Sequence, residues 1–219
     1  AAIGEVGIKK INLDKNFQPN VNAILKAADS NDKILFICSP NNPTGNSFDF
    51  GKIEKLITTF DGIVVVDEAY IDFSKNDSCL SLLKKNKNLI ILQTFSKALG
   101  MAGARLGMAF ASEKIIGFLN KVKMPYNINE LTQKAALQAL EQKDISQQQI
   151  KTILKQRIFL EKELSKFDFI EEIFPSDANF LLVKVSEPEE LYQFLISRKI
   201  IVRNRSKQVG CENCLRFTI

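Results

Sequence analysis

The chain has 219 residues, 30 basic against 25 acidic side chains for a formal net charge of +5, and neither histidine nor tryptophan. The missing histidine excludes Ser-His-Asp and Cys-His nucleophiles, imidazole general bases and His-ligated zinc, so acid–base chemistry falls to Lys, Tyr, Asp, Glu or Cys. With 45% hydrophobic and 25% charged residues, the composition is that of an ordinary globular chain of one large or two modest domains. The basic residues are spread along the chain and not interleaved with aromatics, which argues against a nucleic-acid partner. No apolar run approaches the ~20 residues of a membrane span, and no charged-then-apolar leader opens the chain. A cytoplasmic protein with reduced thiols is expected.

Short apolar runs alternate with helical patterns, as in an α/β domain. Ile34–Cys38 reads as a strand, and residues 48–60 carry Phe50, Ile53, Leu56, Ile57 and Phe60 at helical spacing. Ile63–Val66 and Leu89–Leu92 read as the second and third strands, and Leu106–Ala111 as a fourth. A helix from about Ser112 is ended by Pro125. Strands this continuously apolar predict helices on both sheet faces. From Asn129 the pattern is helical with a break near Asp144, and residues 145–167 predict one long helix. Strands are then expected at 169–174, 179–185 and 200–203, a helix at 188–198, and a last strand around Leu215. This second part predicts a small α+β unit, giving residues 1–143 as a large domain and 144–219 as a connecting helix plus small domain.

Cys211-Glu-Asn-Cys214 has the spacing of a metal or redox pair. A tetrahedral zinc would need Cys38 and Cys79 as well, and a thioredoxin-type pair would open a helix, whereas this pair leads into a strand. A loop that holds two thiols is the preferred reading, with no metal.

Three polar segments follow apolar strands, where ligands bind in open α/β sheets. They are Ser39-Pro-Asn-Asn-Pro-Thr-Gly45, Asp67-Glu-Ala-Tyr70 and Thr94-Phe-Ser-Lys97, the last running on through Gly100, Gly103 and Arg105. A carboxylate at the end of a buried strand needs a cationic or donor partner. Hydroxyls, backbone amides and a guanidinium together suit a phosphate, and a lysine beside other cations suits condensation with a carbonyl. A group with a phosphate, a carbonyl for Lys97 and a basic ring nitrogen for Asp67 would use all of these, and pyridoxal 5'-phosphate has all three.

On these segments, with Gly103-Ala-Arg-Leu-Gly107, Ile201-Val-Arg203 and Cys214-Leu-Arg-Phe-Thr218, the chain resembles the fold-type I (class I/II) aminotransferases. Within that group it looks most like the histidinol-phosphate aminotransferases. The resemblance implies a pyridoxal-phosphate-transferase large domain, a mainly parallel sheet flanked by helices but incomplete, followed by a small α+β C-terminal domain. It implies that Lys97 condenses with the cofactor and shuttles a proton, that Asp67 pairs with the pyridine nitrogen, and that Asn42 and Tyr70 bond its phenolic oxygen. Thr94, Ser96 and Arg105 would bind the cofactor phosphate. Arg203 and Arg216 would take the anionic end of the substrate, with Asn179 close by.

The reaction implied is amino transfer between histidinol phosphate and 2-oxoglutarate, in a homodimer. A threonine-phosphate decarboxylase, an aromatic amino-acid transaminase or a non-catalytic remnant are the alternatives. The same resemblance implies a chain truncated at both ends, without an N-terminal arm, a phosphate-binding glycine loop, a ring-stacking aromatic and a closing helix. Weakened cofactor binding by the 219-residue piece is therefore expected.

Overall fold

The computed structural model describes Gly4 and residues 6–219. Two four-stranded sheets organise the chain. The first comprises β1 (Ile34–Cys38), β2 (Ile63–Asp67), β3 (Leu89–Thr94) and β4 (Gly107–Ala111), in that spatial order. β1, β2 and β3 run parallel, while β4 turns back antiparallel on β3 with Ile91 opposite Phe110. The parallel pairs need long crossovers, and α2 (Phe50–Thr59) supplies the first of them. Asp49 caps that helix by accepting from the Lys52 amide at 2.9 Å.

Alternation along the strands sends Leu35, Ile37, Val64, Val66, Leu89 and Ile91 into one core with Ile53, Leu56 and Ile57 of α2. A short helix α1 (Val21–Ala27), which apolar spacing alone does not announce, adds Val21, Ile24 and Leu25 to the same core. Its seven residues rest on packing and on the Asn20 cap, which accepts from the Ala23 amide at 3.0 Å.

The opposite face departs from expectation. Ile34 is 53% and Phe36 70% exposed, because no described helix lies over that side of β1. The continuous apolar run therefore signals two apolar faces; the second is open at β1, while Val65 of β2, paired with Phe36, is buried at 5%.

α3 (Glu113–Val122) and α4 (Glu130–Glu141) follow, and α4 breaks at Gln142 into α5 (Lys143–Leu164). α5 runs about 33 Å at 1.5 Å per residue, and carries Ile150, Ile153 and Leu154 against Tyr70 and Phe180. The second sheet is wholly antiparallel, in the order β5 (Ile170–Ile173), β6 (Phe180–Val185), β8 (Cys214–Thr218), β7 (Arg203–Asn204). α6 (Pro188–Ser197) packs Leu191, Tyr192 and Leu195 on Leu181, Val183, Val202 and Leu215.

The strand expected at 200–203 is displaced. Lys199 adopts a left-handed φ of 62° and the Ile200 amide returns to Leu195 O at 2.9 Å, so the first of these residues ends α6. Ile200 and Ile201 stay 52% and 74% exposed, and pairing with β8 begins at Arg203.

The two sheets meet through loops. The amide of Asp177 donates to Gly45 O at 2.7 Å, and its carboxylate accepts from the Ser47 amide at 3.1 Å. Phe17 stands edge-on to Phe174 with centroids 5.1 Å apart. Arg157 of α5 is buried and donates to Ala178 O at 2.5 Å. Burial pulls its pKa below the ordinary guanidinium value, against the opposing charges of Asp177 and Glu161. Among the described residues no helix is long and apolar enough to cross a membrane.

Candidate active site

The residues singled out by sequence lie at the ends of strands, in the loops that follow them and, for Arg203 and Arg216, within β7 and β8. The first loop folds on itself: the amide of Asn41 donates to Asn46 O and that of Gly45 to Asn41 O, each at 2.8 Å. Asn41 Nδ2 donates to Thr44 Oγ1 at 2.8 Å, and that hydroxyl donates on to Asn46 Oδ1 at 2.6 Å. Gly45 sits at φ +83°, and a Cβ there would stand 2.7 Å from Ser176 Oγ. Only glycine fits both the backbone and the close approach. This knot leaves the Asn42 side chain free of the loop, and its Oδ1 accepts from Arg216 Nη1 at 2.6 Å.

Asp67 closes β2 opposite Cys38 of β1. Its Oδ1 accepts from the Ala69 amide at 2.9 Å, which orients the carboxylate. Burial first, and the Asp67 carboxylate second, push the Cys38 thiol up to about 12. The neighbouring Glu68 points the other way, as alternation requires, and is 2% exposed. It accepts from Ser78 Oγ at 2.5 Å, the Cys79 amide at 2.7 Å and Gln93 Nε2 at 3.0 Å. Two adjacent carboxylates thus have different surroundings: Glu68 is consumed in holding the turn after β2 to β3, and Asp67 stays half-buried at the strand end.

At the end of β3, Thr94 Oγ1 donates to Leu106 O at 3.3 Å and accepts from the Ser96 amide at 3.1 Å. Phe95 and Ala98 are buried on either side of the exposed Lys97. That pattern anchors the turn and projects the lysine outward. Lys97 Nζ lies 5.4 Å above the centroid of the Tyr70 ring, within cation–π range. Tyr70 is edge-on to Phe180 at 5.2 Å, and the Arg216 guanidinium lies 4.7 Å over the Phe180 ring. A continuous row results: Lys97, Tyr70, Phe180, Arg216, Asn42. It draws on three loops of the first sheet and two strands of the second.

The other candidates are placed as follows. Arg203 is the cross-strand partner of Arg216. Arg105 adopts a left-handed φ of 53° and spends Nη1 on Ala102 O at 2.9 Å. Asn179 offers its backbone carbonyl to the Ile219 amide at 2.9 Å. Among the described residues no hydrogen bond or ion pair joins Lys97, Asp67 and Arg105 to one another.

All four cysteines are free thiols, and Cys211 and Cys214 are both buried. Burial pushes Cys79 and Cys214 up to about 12. Among the described residues no cluster of three or more His, Cys, Asp or Glu side chains could hold a metal. Sequence reading left two participants without a part in the site. Phe180 builds the row as a spacer between Tyr70 and Arg216. Arg205 sits one alternation beyond Arg203, a spacing visible in the sequence as Arg-Asn-Arg.

Asp67 thus ends β2, while the row from Lys97 through Tyr70, Phe180 and Arg216 to Asn42 ties the loops after β1, β2 and β3 to the second sheet. The family model for aminotransferase class I and II matches residues 1–219, and the chain belongs to that family. Its fold is that of the fold-type I transferases. It is 52% identical over all 219 residues to a histidinol-phosphate aminotransferase of Flavobacterium psychrophilum. The chain spans 63% of the length of that relative. The crystal structure of histidinol-phosphate aminotransferase from Clostridium acetobutylicum is similar at a TM-score of 0.87 and 26% identity, covering 94% of this chain and 64% of that one. The Sinorhizobium meliloti histidinol-phosphate aminotransferase, solved in complex with pyridoxal-5'-phosphate, matches at a TM-score of 0.81 and 22% identity, covering 96% of this chain and 59% of that one.

Proposed function

We propose that the protein carrying this chain is a pyridoxal-phosphate-dependent transaminase that interconverts histidinol phosphate and 2-oxoglutarate with imidazole acetol phosphate and glutamate, in histidine biosynthesis. The observation that carries the reading is the 52% identity to a relative of that name across every residue of the chain. The donor set agrees with it: one strand-end carboxylate, one exposed lysine amine, two hydroxyls at the end of β3 and two guanidinium groups whose buried Nε–H has no acceptor.

Bound pyridoxal phosphate supplies an aldehyde that condenses with amines and a ring that takes up the electron pair of a deprotonated carbon. The chain supplies the rest. Asp67, its carboxylate oriented by the Ala69 amide, would hold a proton on the ring nitrogen by charge. Lys97 would provide the amine for covalent attachment of the cofactor, and its free Nζ would accept and return the proton of the substrate α-carbon. Asn42 and Tyr70 would bond the phenolic oxygen of the ring, while Thr94, Ser96 and Arg105 would hold its phosphate. Arg203 and Arg216 take the anionic end of the substrate, with forked donors that suit phosphate or carboxylate, and Asn179 lines the same end.

We infer in addition that residues 1–143 hold the cofactor and that 144–219 serve as a linking helix and a small substrate-facing domain. The whole protein works as a cytoplasmic homodimer on this reading.

The test is glutamate-dependent turnover by the full-length protein. With pyridoxal phosphate, wild type develops a visible absorbance band and converts histidinol phosphate plus 2-oxoglutarate to glutamate. K97A loses both. Carbon dioxide release from a phosphorylated amino acid, or preference for aromatic amino acids over histidinol phosphate, refutes the assigned reaction. Absence of any Lys97-dependent band refutes the cofactor.

A further inference from the structure

Three guanidinium groups gather on one face of the second sheet. Arg203 and Arg216 are directly opposed across β7 and β8. Arg205, two residues beyond Arg203, shares its face by alternation, and its amide continues the pairing by donating to Cys214 O at 2.8 Å. Like charges opposed across strands destabilise a sheet, so the cluster is costly in the absence of a counter-charge.

No counter-charge is built in among the described residues. Among the described residues none of the three arginines has a carboxylate within ion-pair distance. The one side-chain acceptor that meets them is the neutral Asn42 Oδ1, on Arg216. The Nε–H groups of Arg205 and Arg216 are both buried and without an acceptor. Buried donors are almost always paired, and two orphans on adjacent guanidinium groups mark a place where acceptor oxygens belong. Burial lowers the Arg216 pKa first, and Arg205 is the charge that lowers it most, ahead of Arg203, with Tyr70 opposing.

A carboxylate carries one charge and two oxygens, which a single forked guanidinium satisfies. A phosphate monoester carries about two charges and three acceptor oxygens at neutral pH. Arg203 and Arg216 balance the two charges, and a third guanidinium adds donors for the third oxygen.

We propose that Arg205 is the third arm of the anion subsite and the residue that favours a phosphomonoester over a carboxylate at that end of the substrate. The inference rests on the reading above for its premise that Arg203 and Arg216 face the substrate. It goes beyond that reading in assigning the choice of anion to Arg205.

The test uses the full-length protein loaded with pyridoxal phosphate, in wild type, R205Q and R205K forms. Binding of inorganic phosphate and of glutarate is measured by titration calorimetry, and KM and kcat for histidinol phosphate by glutamate formation. R205Q is expected to weaken inorganic phosphate about tenfold and to raise KM by a similar factor, with glutarate affinity and kcat within about twofold. R205K keeps the charge and recovers most of the loss. An R205Q protein that binds inorganic phosphate within about twofold of wild type overturns the assignment. So does an equal loss for phosphate and glutarate, or an equal loss in R205Q and R205K, either of which marks a packing role. If wild type fails to turn over histidinol phosphate, the proposed reaction falls, while the two calorimetric titrations still decide the role of Arg205.

Discussion

Replacing Gly45 by alanine is expected to loosen the junction between the two sheets and to release Asn42 from Arg216. Two costs can be read from the geometry. The backbone at φ +83° costs an L-residue roughly 1–2 kcal/mol. The new methyl would stand 2.7 Å from Ser176 Oγ and 3.1 Å from Ser176 Cβ, an overpacking that typically costs about 1–3 kcal/mol. Ser176 cannot simply rotate away, because its hydroxyl donates to Phe180 O at 2.6 Å and accepts from the Ala178 amide at 3.1 Å. Moving the loop instead breaks the bond from the Asp177 amide to Gly45 O. Together these give about 2–5 kcal/mol, a fall in Tm of about 4–20 °C for a chain of this size. Thermal unfolding of wild type, G45A, S176G and the double variant measures it. S176G removes both crowding atoms, so the double variant should recover the steric part and show a coupling of about 1–3 kcal/mol. A G45A protein melting within about 1 °C of wild type, or variants additive within about 0.5 kcal/mol, would refute the reasoning.

Two further outcomes test the rest of the frame. E68A strands Ser78 Oγ, the Cys79 amide and Gln93 Nε2, each bonded to the Glu68 carboxylate. At about 1–3 kcal/mol per stranded buried group, it should lower Tm more than D67A does, and a smaller loss than D67A contradicts the division of labour between the two carboxylates. The thiols of Cys38, Cys79 and Cys214 are pushed from an ordinary 9.0 up to about 12 by burial. Between those values the unfolded chain holds fewer protons than the native one, so stability is present in full below pH 9 and falls as pH rises toward 12. Melting curves against pH should show that fall and show it flattened in C79A; iodoacetamide at pH 8 should label the native thiols far more slowly than the urea-unfolded ones. Equal labelling rates would count against buried, protonated thiols.

Most strands of the first sheet were legible because each is a short apolar run closed by a polar cluster, and that pattern survives any tertiary arrangement. Glu68 shows where legibility ends. It follows Asp67 in the same polar segment, yet the strand sends it to the opposite face, into a nest of three donors that come from residues 10 to 25 positions away. Residues 200–203 failed for another reason. Their apolar, β-branched run favours a strand, but Lys199 takes the left-handed cap that ends α6, so the partner strand is met only at Arg203. Helix α1 was missed because seven residues carry too few apolar repeats to register, and its stability comes from the core it covers.

What the sequence determined alone is the set of chemical groups and their order. Lys97, Asp67, Asn42 and Tyr70 sit at or just beyond the ends of apolar strands, and a strand must deliver whatever follows it to the sheet's edge. The absence of histidine likewise confined the chemistry to lysine, carboxylate and thiol before any fold was known. Tertiary structure decided which of those groups meet. Asn42 and Arg216 are 174 positions apart and bonded at 2.6 Å, and Arg205 matters only because β7 lies against β8. Local spacing specifies a strand or a turn through short-range sterics, whereas a contact of that separation is set by how two sheets pack, and the packing energy is spread over every residue of both.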